Sequence, residues 1–225
     1  MLPLRETHRL ISLAEEAHAN RFTVRKNIDA VAHTRATGSP GITRLVRFLK
    51  LLRRFDTAPW AKDAFDVNER MMRRLVYSHL PIIVGREAYE REKAALAALV
   101  NAPDPCTNVV WVTNRQQGKT TTLAKLVAAL IVLAPVNGSL VCIYSTNLSR
   151  STEVLKLAKQ YINLLGEDGP VIRINNDRSL EVQTKDGYVH TATARPRNPD
   201  SCRGDAPASA IFDEIAFVLA DFWHQ

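Results

Sequence analysis

The run Val112-Thr113-Asn114-Arg115-Gln116-Gln117-Gly118-Lys119-Thr120-Thr121 joins a short apolar, β-rich stretch to an apolar stretch of helical length. A strand that passes through a glycine-containing loop into a helix is the setting in which backbone N–H groups cradle phosphate. Gly118 lets the main chain approach a phosphate closely. Lys119 would reach the β- and γ-phosphates, and Thr120 would offer its hydroxyl to Mg²⁺. Asn114, Arg115, Gln116, Gln117 and Thr121 complete the expected ATP-binding segment. The usual pattern is GxxxxGKS/T, and Thr113 stands where its first glycine would be. Gly-Lys-Thr by itself recurs by chance, so a second group is needed.

Ser209-Ala210-Ile211-Phe212-Asp213-Glu214 supplies one, about ninety residues after Lys119. A buried strand ending in two carboxylates places them beside the phosphate loop of a parallel sheet. Asp213 would hold Mg²⁺, largely through water, and Glu214 would polarise the attacking water. The alternative, a surface turn carrying two acids, fits poorly with the apolar strand before them. Together the motifs predict an ATP hydrolase using ATP and Mg²⁺, with Lys119 and Glu214 in the chemistry.

The elements that must position these groups follow a change of rhythm. The first hundred residues read as helical, broken at Ser39-Pro40-Gly41, at Ala58-Pro59 and around Pro81. Arg44, Arg47, Lys50 and Arg54 recur at helical spacing, opposite Leu45, Phe48, Leu49 and Leu52, and predict a basic amphipathic helix. Such a helix more often packs on a core than grips DNA or a membrane. Asn101 to Asn108 reads as a loop and boundary, dividing a helical region at 1–100 from an ATPase core at 101–225. Beyond it strands and helices alternate: a strand over Val109–Thr113, a helix over Lys119–Leu133 and a strand over Leu140–Tyr144. A helix follows over Ser149–Leu165, with Ser149 as its cap and Val154, Leu155, Ala158, Tyr161, Ile162 and Leu165 buried. Val171–Ile174, Leu180–Thr184 and Tyr188–Ala192 read as an antiparallel excursion, and Ala208–Phe212 as a last buried strand. Alternation of this kind predicts an α/β fold with a mostly parallel sheet covered by helices on both faces.

Composition narrows the class. At 225 residues, 46% hydrophobic and 24% charged, the chain has the make-up of an ordinary globular protein rather than a disordered one. The longest apolar candidate, Leu126 to Pro135, is too short to span a membrane, and no secretory signal is evident, so neither membrane association nor secretion is expected. Cys106, Cys142 and Cys202 are odd in number and lack zinc-ligand spacing, which fits a reducing compartment. Of the net charge of +7, all lies in residues 1–100, with 18 basic against 11 acidic residues; residues 101–225 balance at 12 each. A polyanion would meet the first part, although a solvated basic face accounts for the charge equally well.

The wording of the motifs resembles the large terminase subunit, the DNA-packaging ATPase of tailed phages and herpesviruses. In that family the first loop glycine is also replaced and an arginine stands three residues before the loop glycine, as Arg115 does here. Cys202-Arg203-Gly204 is similar to an Arg-Gly upstream of the family's acidic strand. Asp213-Glu214-Ile215-Ala216-Phe217-Val218 looks like its acidic box, and the hairpin Leu180–Ala192 sits where the family has one. The resemblance covers residues 108 to 225 and does not reach 1–100. It implies a P-loop NTPase core that drives double-stranded DNA into a preformed capsid as a homo-oligomeric ring at the portal. Its partners would be the portal, the capsid and the small terminase subunit. The setting would be an infected cell, in the nucleus if herpesvirus-like and the cytoplasm if phage-like. It also implies that Arg115 acts in cis on the γ-phosphate, where a fixed guanidinium offsets transition-state charge. The other reading of Arg115 is a salt-bridged or solvent-facing loop residue.

Two features depart from the family. No glutamine precedes Gln116 to read adenine, which leaves Tyr89 as the candidate. The chain also ends at Gln225, eleven residues after Glu214, without the following strand and its Ser/Thr-rich motif or the RNase H-like nuclease. The resemblance therefore predicts a fragment, exon or truncated product with no nuclease and slow or no turnover. The rival readings are a DEAD-like helicase fragment and a non-hydrolysing DNA- or capsid-binding scaffold.

Overall fold

In a computed structural model of the chain, residues 39–58, 65–101, 109, 118–145, 147–196 and 206–213 are described. Helix α1, Pro40–Phe55, starts where the sequence breaks at Ser39-Pro40-Gly41. The Ser39 hydroxyl oxygen accepts the Ile42 N–H at 3.3 Å, and proline in the first turn already has helical φ. The Glu92 carboxylate also accepts the Ile42 N–H, at 3.1 Å, and takes a hydrogen bond from the Ser39 hydroxyl. The amphipathic spacing is realised: Leu45, Phe48, Leu52 and Phe55 are buried, while Arg44, Arg47, Lys50 and Arg54 are exposed. Two of those four are tethered, Arg44 donating to the Val84 carbonyl at 2.7 Å and Arg54 to the Leu165 carbonyl at 3.3 Å.

Helices α2 (Phe65–Ser78), α3 (Leu80–Val84) and α4 (Arg86–Val100) complete the described part of the helical region. Pro81 opens α3 rather than breaking a helix, and Gly85, at φ 88°, makes the corner into α4. Helix α5 occupies Lys119–Leu133, as its sequence predicts, and every residue from Thr122 to Ile131 is buried. A helix apolar on all sides needs neighbours on all sides. Here α1, α2 and α3 cover one flank, and the sheet and α6 (Leu148–Asn163) the others.

Five strands follow among the described residues: β1 (Leu140–Ser145), β2 (Val171–Asn175), β3 (Ser179–Gln183), β4 (Val189–Pro196) and β5 (Ser209–Asp213). They form one sheet in the order β2-β3-β4-β1-β5. The expected mostly parallel sheet is instead mixed among the described residues. β1 pairs in parallel with β4 and β5, whereas β2–β3 and β3–β4 are antiparallel. The reason is that the antiparallel excursion never leaves the sheet. β4 gives one edge to its hairpin partner β3 and the other to β1, where Leu140 stands opposite Thr191 and Ser145 opposite Pro196. The predicted strand at 109–113 lies outside the described residues except for Val109, which packs partly buried against the core.

The cap of α6 also differs from expectation. Asn147, not Ser149, is the N-cap: its side-chain oxygen accepts the Ser149 N–H at 3.0 Å. All six residues expected on the buried stripe of α6 and its continuation are buried. One buried cluster runs from Leu45 of α1 to Ile211 of β5, so the helical region and the sheet share a core across the compositional boundary.

Candidate phosphate site at the strand ends

Residues 134–139 reverse the chain between α5 and β1. Hydrogen bonds place this reversal at the starting end of the parallel strands. The Gly138 N–H donates to the Val189 carbonyl at 2.9 Å, the Thr191 N–H to Ser139 at 3.0 Å and the Ala208 N–H to Leu140 at 2.8 Å. α5 therefore runs back along the sheet, on which it packs through β1 and β4. Fifteen helical residues span about 22 Å and six strand residues about 20 Å, so the start of α5 comes level with the end of β1. β1, β4 and β5 all finish at that end, at Ser145, Pro196 and Asp213. A crevice outside the carboxyl ends of parallel strands is where open α/β sheets take ligands.

The start of α5 has the geometry an anion needs. Gly118 precedes it in the left-handed region, at φ 72° and ψ 19°, and as a glycine brings no side chain to cap the helix. A side chain at that φ would be strained, whereas glycine takes it freely. The first N–H groups of α5 thus point out of the helix with its dipole behind them. Lys119, Thr120 and Thr121 form the first turn and are partly exposed. Thr122 is turned inward instead, its hydroxyl donating back to the Gly118 carbonyl at 2.9 Å.

Of the predicted site residues, Gly118, Lys119, Thr120 and Thr121 fall at this end, and so does Asp213, the last residue of β5, whose backbone alone is described. Asn114, Arg115, Gln116, Gln117 and Glu214 lie outside the described residues, as do Cys202, Arg203, Gly204 and Phe217. Tyr89 is not at this end: its ring is buried in the helical layer, with the Lys93 ammonium 5.6 Å from its centroid. Among the described residues no cluster of His, Cys, Asp or Glu could hold a metal by itself.

Two polar residues emerge here that the sequence did not single out. Ser145 ends β1 with no exposed surface, and its hydroxyl has no hydrogen-bond partner. Its register partner on β5 is Asp213. An orphaned hydroxyl at that position fits a site that receives an oxygen-rich ligand. The signal for it was a lone polar residue closing an otherwise apolar strand. At the opposite end of β5, His79 ties the helical layer to the sheet. Its Nδ1 donates to the Leu75 carbonyl at 2.7 Å, so its Nε2 accepts from the Ser209 hydroxyl at 2.7 Å. Burial pushes its pKa below the usual range, against the opposing pull of the Leu75 hydrogen bond.

The chain matches no protein-family model and no curated protein.

Proposed function

We propose that the start of α5 and the ends of β1 and β5 bind the phosphates of ATP and that the chain is the ATPase part of a viral DNA-packaging motor. The observation that carries the first half is the left-handed Gly118 opening α5, whose first turn bears Lys119 and Thr120, level with Asp213. In this reading the α5 amides and Lys119 hold the β- and γ-phosphates, while the Thr120 hydroxyl and the Asp213 carboxylate are the groups a hard, oxygen-loving cation accepts. Mg²⁺, when bound, neutralises charge on the phosphates. Glu214 takes a proton from the water that attacks the γ-phosphorus, and Arg115 offsets the charge that builds on the phosphoryl oxygens.

The second half rests on the motif resemblance over residues 108–225 and on the exposed basic row of α1, which suits a polyanion such as duplex DNA. The portal, the capsid and the small terminase subunit are then partners at the procapsid.

Nucleotide titration separates the roles. Lys119→Ala should abolish ATP binding, whereas Glu214→Gln should retain binding and stop hydrolysis, because only Lys119 holds ground-state phosphate. A Glu214→Gln protein that hydrolyses like its parent would remove Glu214 from the mechanism, and undiminished ATP binding by Lys119→Ala would remove the phosphate site itself. Turnover stimulated by duplex DNA without strand separation supports the packaging motor. Unwinding would replace it with a helicase, and nucleotide binding without turnover, even in a longer version of the chain, with a scaffold.

A further inference from the structure

Resting on the nucleotide-site reading above, we infer that Ser145 is a ligand-binding residue of that site, its hydroxyl donating a hydrogen bond to an oxygen of the terminal phosphate.

Three observations converge on it. First, Ser145 has no exposed surface and its Oγ lacks any partner, which is an unusual state for a buried hydroxyl. Three other buried serine and threonine hydroxyls have protein partners. Thr122 bonds the Gly118 carbonyl, Ser151 the Leu148 carbonyl at 3.0 Å and Ser209 the His79 ring. Second, Ser145 closes β1, the strand between β4 and β5, at the end of the sheet to which the start of α5 returns. It continues the alternation of Val141 and Ile143 along one face, and its register partners are Pro196 and Asp213. Third, the groups at the start of α5 are donors: its first amides, the Lys119 ammonium and the Thr120 hydroxyl. A phosphate oxygen is an acceptor that suits such donors, and it has lone pairs enough to take several at once.

The terminal phosphate is the part of the nucleotide that reaches farthest from the α5 amides toward the ends of β1 and β5. Ser145 therefore distinguishes a triphosphate from a diphosphate. The orphaned hydroxyl burdens the empty protein and is satisfied when the triphosphate arrives. Stability and affinity then pull in opposite directions at this position, as they do at residues kept for binding.

The test uses the full chain and its Ser145→Ala and Ser145→Thr variants. It measures the affinities of ADP and of a non-hydrolysable ATP analogue by calorimetry, with thermal melting in the absence of nucleotide. Ser145→Ala should weaken the triphosphate analogue roughly tenfold to a hundredfold, the range for a hydrogen bond to a charged acceptor, and leave ADP within about twofold. Ser145→Thr should restore analogue binding. The melting temperature of nucleotide-free Ser145→Ala should stay level or rise by up to about 4 °C, since an unsatisfied group has gone. Equal loss for both nucleotides, unchanged analogue affinity, or a lowered melting temperature would overturn the assignment and make Ser145 a structural residue. A parent protein that binds neither nucleotide would sink the nucleotide site along with it, whereas normal analogue binding by Ser145→Ala would sink the role of Ser145 alone.

Discussion

Lowering the pH from 7.5 to 5.5 should destabilise the chain through two enclosed imidazoles, and the two contribute separably. His190 lies on β4 with no exposed surface and no hydrogen-bond partner for either ring nitrogen, and burial lowers its pKa. His79 is held as the neutral Nδ1–H tautomer between the Leu75 carbonyl and the Ser209 hydroxyl, and burial lowers its pKa too. In the unfolded chain each ring titrates near pH 6.5, so below that value the unfolded state binds more protons than the folded one. The stability is therefore present above about pH 6.5 and lost as the pH falls from there toward the folded values. Each ring can contribute at most about 1.4 kcal/mol per pH unit, or about 2.8 kcal/mol per unit for the pair. Side-chain carboxylates remain largely ionised above about pH 5.5, which keeps them out of this window. Urea unfolding followed by circular dichroism at pH 7.5, 6.5 and 5.5 measures the slope, with m held as a check on two-state behaviour. His190→Leu should remove about half of the dependence without losing stability at pH 7.5, because two unsatisfied nitrogens leave with the ring. The pair His79→Leu and Ser209→Ala should remove the other half. An unchanged slope in His190→Leu, or a parent stability that stays level or rises on acidification, would refute the linkage.

Other expectations are more local. Asn147→Ala should cost about 1 kcal/mol by removing the cap of α6, while Ser149→Ala should cost far less; equal losses in chemical denaturation would contradict the observed cap. Gly118→Ala should destabilise the chain by about 1 kcal/mol and weaken ATP binding, because φ 72° strains a side chain; an unchanged midpoint and affinity would show that the left-handed turn is dispensable. Arg115→Ala should slow ATP turnover by roughly three to five orders of magnitude with little change in affinity, whereas parallel losses of rate and affinity in steady-state and titration data would make it a ground-state clamp.

Local pattern alone was enough for several elements. Leu126 to Ile131 is apolar on every side, and such a helix can exist only inside, which is where α5 lies. The amphipathic spacing of α1 and the buried stripe of α6 were equally legible, since side-chain direction repeats every 3.6 residues. Gly118 announced a turn by its chemistry, because few other residues tolerate that backbone conformation. Pairing was not legible. Nothing within Val189–Pro196 says that one edge meets a hairpin partner and the other meets β1, some fifty residues earlier, because strand pairing depends on edges and not on the strand's own alternation. The cap of α6 was missed for a related reason: Asn147 and Ser149 are both good caps, and only the helix's actual start chose between them. Ser145 lies one residue past the strand expected over Leu140–Tyr144, and only the pairing of β1 with β5 extends the strand through it, opposite Asp213. His79 and Ser209 are 130 positions apart and meet only because α2 and α3 pack against α5, which packs on the sheet. Period and turn chemistry are properties of neighbours along the chain, while the company a buried polar atom keeps is set by distant segments brought together by the core.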